Sequence, residues 1–485
     1  MAPQKTLKEI RKTRIEKLEA IKKLGIDPYP AKTPSLHPIS QAFKKMGEKV
    51  SVAGRVMAMR GHGGIQFFDL QDESGKIQLV FKKDELKTEN YNLLPLLDIG
   101  DFLAADGKIF KTEAGEISVL VSDFKILTKA IRPLPSFWFG LKDEEERYRK
   151  RYVDLIMNPE VRGLFVKKSK FWASVRCYLQ KEGFLEVETP ILEAIPGGAD
   201  AQPFITHHNA LDTDFYLRIS LELHLKRLLV GGFEKVFEIG RVFRNEGMDF
   251  EHLQDYTQLE FYWAYSDYEK LMDFLEDFYR FVVKETTGGL VTHRREMEID
   301  WGKEWERIDF AEVFKKETGL DPVKASQKEL FEKARNLKLE PEKFLGKGRL
   351  VDLIYKKTIR PKIIGPAFLI NLPVEISPLA KRHPDKPDFT QRLLVLAGGT
   401  ELGNGFSELN DPLDQEDRFR EQQKLREAGD EEAQMLDRDF IEALEIGMPP
   451  TAGFGLSERL FAFLMDKPMR ECVFFPLMRP REETE

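Results

Sequence analysis

The chain has 485 residues, of which 42% are hydrophobic and 32% are charged, and its formal net charge is −7 at pH 7. This composition provides enough apolar material for two or three globular domains, and it excludes a protein whose whole surface is basic, although a local basic face remains possible. Because Cys177 and Cys472 are the only cysteines and no apolar run is long enough to span a membrane, we expect a cytoplasmic protein without disulfides or a membrane anchor.

Residues 1–48 are expected to form a basic helix and a connector. Leucine and isoleucine recur at helical spacing within 4–24, among many lysine and arginine residues. The proline-rich stretch 27–34 ends this helix. A solvated helical face explains the charge as well as an RNA-binding face does, so both interpretations stay open.

Residues 49–130 show a different pattern, with five short strand-like runs separated by glycine-containing turns. Five strands in one small domain predict a barrel of the oligonucleotide-binding (OB) type, which binds single-stranded bases on exposed rings in a positive groove. Arg60, Phe67 and Gln78 would supply a cation, a stacking ring and an amide. The alternative for Phe67 is a place in the barrel core.

A proline-rich linker and a charged helix-like run occupy 131–150, and residues 151–485 are expected to form one large domain. Helix-like segments at 160–182 and 267–285 alternate with strand-like runs at 234–240, 254–264 and 403–408. No glycine-rich dinucleotide fingerprint or phosphate loop is present. The expected fold class is therefore a multidomain α/β (α+β) protein, in which the barrel precedes an antiparallel sheet with flanking helices.

The stretch 221–263 combines a helix pattern with two strand-like runs joined by a charged loop. Four side chains of the second run share one face by the two-residue period of a strand: Tyr256, Gln258, Glu260 and Tyr262. A carboxylate and two phenols on one face predict the floor of a pocket, whereas the alternative is a sheet with one solvated face. In the loop, Arg244 carries a guanidinium suited to a phosphate or a carboxylate.

A second inward carboxylate is expected on the 403–408 strand, where Asn404, Phe406 and Glu408 share a face. Buried carboxylates need a partner because an unpaired buried charge is costly. If Glu260 and Glu408 are both ionised, a metal ion or an ammonium group must lie between them.

At these motifs the chain resembles the class II lysyl-tRNA synthetases of bacterial type, nearly from end to end. The stretches that carry the resemblance are PGGADAQPF, LVGGFEKVFEIGRVFRNEG, QLEFYWAY, GNGFSELND and GFGLSERL. The strand that ends at Pro190 resembles the family's dimer-interface motif, so the resemblance implies a homodimer. It also implies the two-step activity of a lysine–tRNA ligase, with ATP, L-lysine and tRNA(Lys) as substrates and Mg²⁺ as cofactor.

The resemblance assigns site residues position by position. The residues that match the amino-acid pocket are Gly198, Glu222, Arg244, Glu260, Tyr262, Asn404, Phe406 and Glu408. It implies that Glu408 and Tyr262 meet the ε-ammonium of lysine, while Arg244 and Asn404 hold its carboxylate. An uncharged substrate would leave the pocket carboxylates unpaired, and sites of this kind reject such analogues ~10⁴–10⁵-fold.

The nucleotide and tRNA sites are carried over in the same way. The residues that match the ATP site are Arg244, Glu246, His252, Tyr256, Glu401 and Arg459, and Arg244 and Arg459 match the catalytic arginines. Glu401 matches a magnesium ligand. The residues that match the readers of the central anticodon uridine are Arg60, Phe67, Gln78 and Glu116.

The sequence departs from the family pattern on the ATP side. Leu394 stands where such enzymes usually carry a second metal-binding glutamate, which leaves the number of magnesium ions open. The loop after Glu246 lacks an arginine expected near the outer phosphates, and Ser457 replaces a glycine before Arg459. A non-catalytic RNA-binding protein and a synthetase for aspartate or asparagine are the alternatives, although a pocket containing Glu408 suits a cationic substrate better than an anionic one.

Overall fold

The computed structural model describes residues 6–135, 143–247, 253–342, 345–430 and 432–481. They form two compact units, Met1–Lys142 and Asp143–Glu485, and each unit has its own hydrophobic core. None of the helices in these ranges combines the length and the apolar character needed to cross a bilayer.

The first unit is built around a closed barrel. Its strands are β1 (Lys49–His62), β2 (Ile65–Gln71), β3 (Lys76–Lys82), β4 (Phe102–Lys111) and β5 (Ile117–Thr128), and its helices are α1 (Leu7–Lys23), α2 (Ile39–Ala42) and α3 (Thr88–Leu93). The strands pair in the order β1-β2-β3-β5-β4, with only β3 and β5 parallel among the pairs described in this unit. The predicted five-stranded OB barrel is confirmed.

Alternation along each strand fills the barrel. Phe68 and Leu70 of β2 are fully buried in the core, while Phe67 and Asp69 lie on the outer face. Phe67 is half-buried, so its ring is not part of the barrel core.

The basic helix α1 is anchored to the barrel by part of its charge. Arg14 donates hydrogen bonds to the carbonyl groups of Ile99 and Ala130, at 3.0 and 3.1 Å, and Lys17 forms an ion pair of 2.8 Å with Asp98. These two cations are therefore structural, and only the remaining basic residues of the helix are left for a nucleic acid.

The second unit contains the larger sheet. Its strands are β6 (Leu185–Glu186), β7 (Leu192–Glu193), β8 (Ile205–His208), β9 (Thr213–Leu217), β10 (Lys235–Phe243), β11 (Asp255–Ala264), β12 (Val291–Arg294), β13 (Met297–Asp300), β14 (Glu306–Asp309), β15 (Ala367–Ile370), β16 (Arg392–Ala397), β17 (Thr400–Ser407) and β18 (Thr451–Ser457). Its helices are α4 (Glu144–Arg149), α5 (Arg151–Met157), α6 (Pro159–Lys181), α7 (Glu222–Val230), α8 (Tyr268–Thr287), α9 (Phe310–Thr318), α10 (Gln327–Asn336), α11 (Lys347–Ile354), α12 (Pro412–Glu427), α13 (Arg438–Ile446) and α14 (Arg459–Leu464).

The large sheet has eight described strands in the order β14-β15-β16-β17-β18-β11-β10-β6. Its six central strands are antiparallel, as expected, but the edge pairs β14–β15 and β6–β10 are parallel. The sheet is therefore mixed. The antiparallel prediction missed the edges because these short strands, two to four residues long, carry too little periodicity to reveal their direction.

Helices α6 and α8 cover one face of this sheet. Leu271, Leu275, Phe278 and Val282 recur at helical spacing along α8 and are fully buried in the main core. Asp267 caps the start of α8 by accepting hydrogen bonds from two backbone N–H groups, and Gly288 ends it at φ +89°. The opposite face of the sheet is left uncovered by α6 and α8, and it carries the candidate site.

Candidate active site

A cavity of about 990 Å³ lies over the central strands. The candidate residues that line it are Gly198, Glu222, Arg244, Glu246, Tyr256, Glu260, Tyr262, Glu401, Asn404, Phe406, Glu408 and Arg459. The alternation predicted for β11 is confirmed, since its polar face lines the cavity and Leu259 and Phe261 enter the main core. His252 lies outside the described residues.

Strand β18 gives the cavity its depth. Gly453 is in register with Tyr262 on β11 and with Phe406 on β17, and Gly455 is in register with Glu260 and Asn404. A Cβ atom on Gly453 would lie 2.1 Å from Oε1 of Glu408 and 2.4 Å from the Tyr262 ring. Glycine at position 453 therefore leaves the space in which these two side chains meet the cavity.

Neutral donors surround the Glu260 carboxylate. Its Oε1 accepts hydrogen bonds from the Ser220 hydroxyl at 2.6 Å, the Leu221 N–H at 3.0 Å and the Gln258 amide at 2.6 Å. Its Oε2 accepts a hydrogen bond from the Tyr262 hydroxyl at 2.9 Å. These bonds compensate the buried charge, so Glu260 does not need a metal ion or an ammonium group beside it.

A lysine of the chain itself places one cation beside Glu408. The Lys226 ammonium forms ion pairs with Glu222, at 2.5 Å, and with Glu408. The other oxygen of Glu408, Oε1, is buried and accepts no hydrogen bond from any described residue. Within the chain, the shared cation joins Glu222 and Glu408. A ligand cation shared by Glu260 and Glu408 stays a prediction.

Sequence reasoning missed Lys226 because its neighbours Leu225 and Leu229 mark helix α7 as an ordinary core helix. A signal was available, since Glu222 and Lys226 are four residues apart and share one face of a helix. Their meeting with Glu408 depends on packing between distant segments and has no signature in the sequence.

Burial dominates the protonation of this cluster. It raises the pKa of Glu222 to about 7, against the opposing influence of Lys226, and it raises the pKa of Glu408 well above the ordinary value. Burial alone would lower the pKa of Lys226, but the adjacent Glu222 and Glu408 carboxylates outweigh it and raise that pKa. The lysine therefore stays charged, while Glu222 loses its charge as the pH falls through about 7.

The other end of the cavity carries two guanidinium groups. The Arg244 guanidinium lies 5.7 Å from the centre of the Tyr256 ring, and the Nε of Arg459 is buried with no hydrogen-bond partner among the described residues. Burial raises the pKa of Tyr256, while Arg244 and Arg459 oppose that shift. A ring flanked by two cations suits a flat, anionic ligand such as a nucleotide.

Comparisons with known proteins agree with this arrangement. Residues 143–479 match the family "tRNA synthetases class II (D, K and N)", and residues 50–127 match the "OB-fold nucleic acid binding domain" family. The lysine–tRNA ligase of Thermoanaerobacter sp. (strain X514) is 47% identical over 98% of this chain and 97% of its own length. That of Bacillus subtilis (strain 168) is 43% identical over 96% of this chain and 97% of its own length.

The chain belongs to the class II lysine–tRNA ligase family. The lysine–tRNA ligase of Carboxydothermus hydrogenoformans is a further relative, 46% identical over 98% of this chain and 99% of its own length. The two family matches together cover both the barrel of the first unit and the large sheet of the second.

At position 394 this member of the family has no metal-binding side chain. Leu394 is 2% exposed and lies in an apolar cluster with Leu396 and Tyr355, so it offers no ligand atom. Within the described ranges no three histidine, cysteine, aspartate or glutamate side chains form a group that could enclose a metal ion. The Glu401 carboxylate lines the cavity, which fits Mg²⁺ held mainly by phosphate oxygens and water.

The candidate anticodon residues come together on the outside of the barrel. Arg60 forms a 2.9 Å ion pair with Asp69 on β2, and the Gln78 amide donates a hydrogen bond of 2.9 Å to Glu116. Asp69 and Gln78 are paired across β2 and β3, and Phe67 shares the face of Asp69. A ring, a guanidinium and an amide therefore lie on one surface of this unit.

We predict that Gly453→Ala destabilises the second unit, because the added methyl group overlaps Glu408 and Tyr262 and overpacking costs about 1–3 kcal/mol. Gly455→Ala is the matched control, since a Cβ there lies 3.4 Å from its nearest neighbour, Cγ of Glu260. Thermal unfolding followed by circular dichroism should give a lower melting temperature for Gly453→Ala than for Gly455→Ala. Equal melting temperatures would contradict this account of the cavity floor.

Proposed function

We propose that this protein is a lysine–tRNA ligase, which activates L-lysine with ATP and transfers the lysyl group to the 3′ end of tRNA(Lys). The observation that carries the proposal is Glu408, which lines the cavity and whose buried Oε1 accepts no hydrogen bond from the part of the chain that the structure describes. An ammonium group is the ligand that such an atom binds best, because an unpaired buried carboxylate is costly. The family membership gives the same substrate.

Lysine would lie across the central strands with its ammonium group at Glu408. The Tyr262 hydroxyl donates a hydrogen bond to Glu260, so its oxygen can accept a hydrogen bond from the ammonium. The Phe406 ring would flank the methylene chain, and Gly198, at φ +85°, would let the backbone approach the ligand above Glu222.

The carboxylate of lysine would be held by Arg244 and Asn404. Arg392 donates a hydrogen bond to Oδ1 of Asn404 at 2.9 Å. Because this bond occupies the amide oxygen, the amide nitrogen of Asn404 is left to donate a hydrogen bond to a ligand. Arg392 also lines the cavity and was missed by sequence reasoning. It would orient Asn404.

ATP would lie at the end of the cavity that carries the two guanidinium groups. Arg244 would contact the α-phosphate, and Tyr256 and Arg459 would take the two faces of adenine. Glu246 and His252 would contact neighbouring groups of the nucleotide. Glu401 would hold Mg²⁺, which neutralises phosphate charge when bound.

The first step would be attack of the lysine carboxylate oxygen on the α-phosphorus, with pyrophosphate leaving to give lysyl-adenylate. Arg244 would contact both the carboxylate and the α-phosphate and hold them close together. Arg459, the second residue assigned a catalytic role, would offset phosphate charge as the transition state forms. The chain then needs no nucleophilic side chain, since positioning and charge stabilisation supply the catalysis. In the second step the terminal hydroxyl of the tRNA would attack the lysyl carbonyl carbon, forming an ester as the anhydride bond to phosphate breaks and AMP leaves.

The barrel would read the anticodon. Phe67 would stack on a base, and Arg60, Gln78 and Glu116 would bond to its edge or to the backbone. Anticodon binding by the first unit and catalysis by the second fit two units with separate cores, and a tRNA would have to contact both. Free thiols at Cys177 and Cys472 are compatible with work in the cytoplasm.

A homodimer is the assembly we propose. Ile191, Leu192 and Ile205 are exposed, although the strands on which Leu192 and Ile205 lie both pair with β9. Together with the family's interface motif before Pro190, this apolar surface suits a second copy of the chain. Sedimentation equilibrium should give the mass of two chains, and Ile205→Asp should shift the equilibrium toward the monomer. A wild-type monomer at micromolar concentration would contradict the proposal.

Amino-acid-dependent exchange of pyrophosphate into ATP tests the activity. We expect exchange with L-lysine and none with aspartate or asparagine, since only a cationic side chain meets Glu408. Charging of tRNA(Lys) transcripts should follow. Binding of the tRNA without any exchange would instead identify a non-catalytic RNA-binding protein.

Glu408→Gln tests the lysine pocket within that assay. Loss of a charged hydrogen-bond partner costs about 1.5–3 kcal/mol, so KM for lysine should rise about 10- to 100-fold. KM for ATP should change less than about threefold, because the nucleotide lies at the other end of the cavity. Glu445→Gln, at an exposed position on α13, is the control. An equal loss of lysine and ATP binding would show that Glu408 has a different role.

A further inference from the structure

Lys226 lies beneath the floor of the cavity rather than in its wall. Its side chain is completely buried, and three ring centres surround its ammonium group, Phe406 at 5.4 Å, Phe440 at 5.8 Å and Tyr262 at 6.0 Å. The carboxylates of Glu222 and Glu408, which do line the cavity, separate it from the ligand space. The order from the core outward is thus cation, two carboxylates, cavity.

A gain in stability alone does not explain why the chain buries the ammonium group of Lys226. Burying an ion pair costs desolvation of both partners, and apolar side chains of similar size often stabilise a protein as well or better. What an apolar residue cannot do is keep two neighbouring carboxylates ionised. Because Glu222 and Glu408 contact the same nitrogen atom, each would raise the other's preference for a proton if that nitrogen were absent.

We propose that Lys226 is a positioning residue that sets the charge of the lysine pocket. Its ammonium group favours the ionised forms of Glu222 and Glu408 and forms its ion pair with Oε2 of Glu408. Oε1 of Glu408, which accepts no hydrogen bond among the described residues, is then the acceptor left for one ammonium group. This inference rests on the proposed function and assigns Lys226 to the specificity for a singly charged side chain.

The net charge of Lys226, Glu222 and Glu408 differs between the variants that remove one or two of these charges. With Lys226 removed, two carboxylates share one proton, and a protonated oxygen donates a hydrogen bond instead of accepting one from an ammonium group. With Glu222 made neutral instead, Lys226 compensates Glu408 fully, and the pocket loses its attraction for a cation. Removing both charges restores one carboxylate facing one substrate cation.

Other charged groups face this cluster and must be counted in any pH dependence. They are Glu260 on β11, which adds negative charge near Glu222 and Glu408, Arg392 on β16, which opposes the rise in the pKa of Glu222, and the Tyr262 hydroxyl, which stays protonated because burial raises its pKa. All three remain in the variants below, so differences between variants report on the Lys226 cluster.

The experiment compares the purified full-length chain with Lys226→Met, Glu222→Gln and the double variant, by lysine-dependent pyrophosphate exchange between pH 6 and 9. For Lys226→Met we expect KM for lysine to rise about 10- to 100-fold at pH 7, since each unit by which a pKa rises is a tenfold change in the ionised fraction. KM for ATP should stay within about threefold. In the wild type, KM for lysine should rise as the pH falls through about 7, the pKa of Glu222, and in Lys226→Met this rise should begin at a higher pH.

The double variant provides the decisive comparison. Its KM for lysine should be at least about fivefold lower than that of either single variant, because the two losses compensate each other when the residues act as a pair. Additive effects would overturn the proposal, and so would an unchanged KM and pH profile in Lys226→Met. If circular dichroism shows that Lys226→Met does not fold, Glu222→Gln can still be compared with the double variant. That comparison shows whether removal of the Lys226 charge lowers or raises KM for lysine.

Two further measurements separate this inference from its alternatives. Lys235→Met removes another partly buried lysine of the same unit, which packs 4.7 Å from the Trp263 ring on the β10–β11 hairpin, and it should leave KM for lysine unchanged. Wild-type protein without lysine-dependent exchange would refute the proposed function itself. An active wild type with a purely thermal defect in Lys226→Met would refute only the role of Lys226.

Discussion

The ion pairs from Lys226 to Glu222 and Glu408 join helix α7 to the segment that follows strand β17. Each partner alone would be a costly buried charge, so the three side chains hold one another in place. Oε1 of Glu408 is buried and accepts no hydrogen bond among the described residues. In the proposed function, the attraction of the pocket for a cation follows from this imbalance, because the fold supplies one ammonium group to two carboxylates.

The sheet makes this arrangement possible by keeping its two faces chemically separate. On β11, Leu259 and Phe261 enter the main core, and Glu260 and Tyr262 face the cavity. The glycines of β18 continue the same alternation without side chains, which opens the space above the strands. Packing of α6 and α8 on the apolar face fixes the strands, so the polar groups on the other face stay in register with one another.

Local periodicity predicted much of this arrangement. The five-stranded barrel and the two faces of β11 follow from alternation within single segments, and so does the placement of Asn404 and Phe406 on one face of β17, whereas Glu408, predicted on the same strand, lies just past its end. Periodicity failed where segments are short or where partners are distant. The parallel edge strands were taken as antiparallel, and the four neutral donors around Glu260 were not foreseen.

The sequence by itself determined the order of the two units, the faces of the longer strands and the set of residues that we propose for a lysine and ATP site. Those properties depend on side-chain period and on motifs that are contiguous in the chain. Tertiary structure alone decided which buried charges are paired. Lys226 could be assigned to Glu408 only after the packing of α7 against the sheet brought them together, because the energy of a buried charge depends on its neighbours in space and not on its neighbours in sequence.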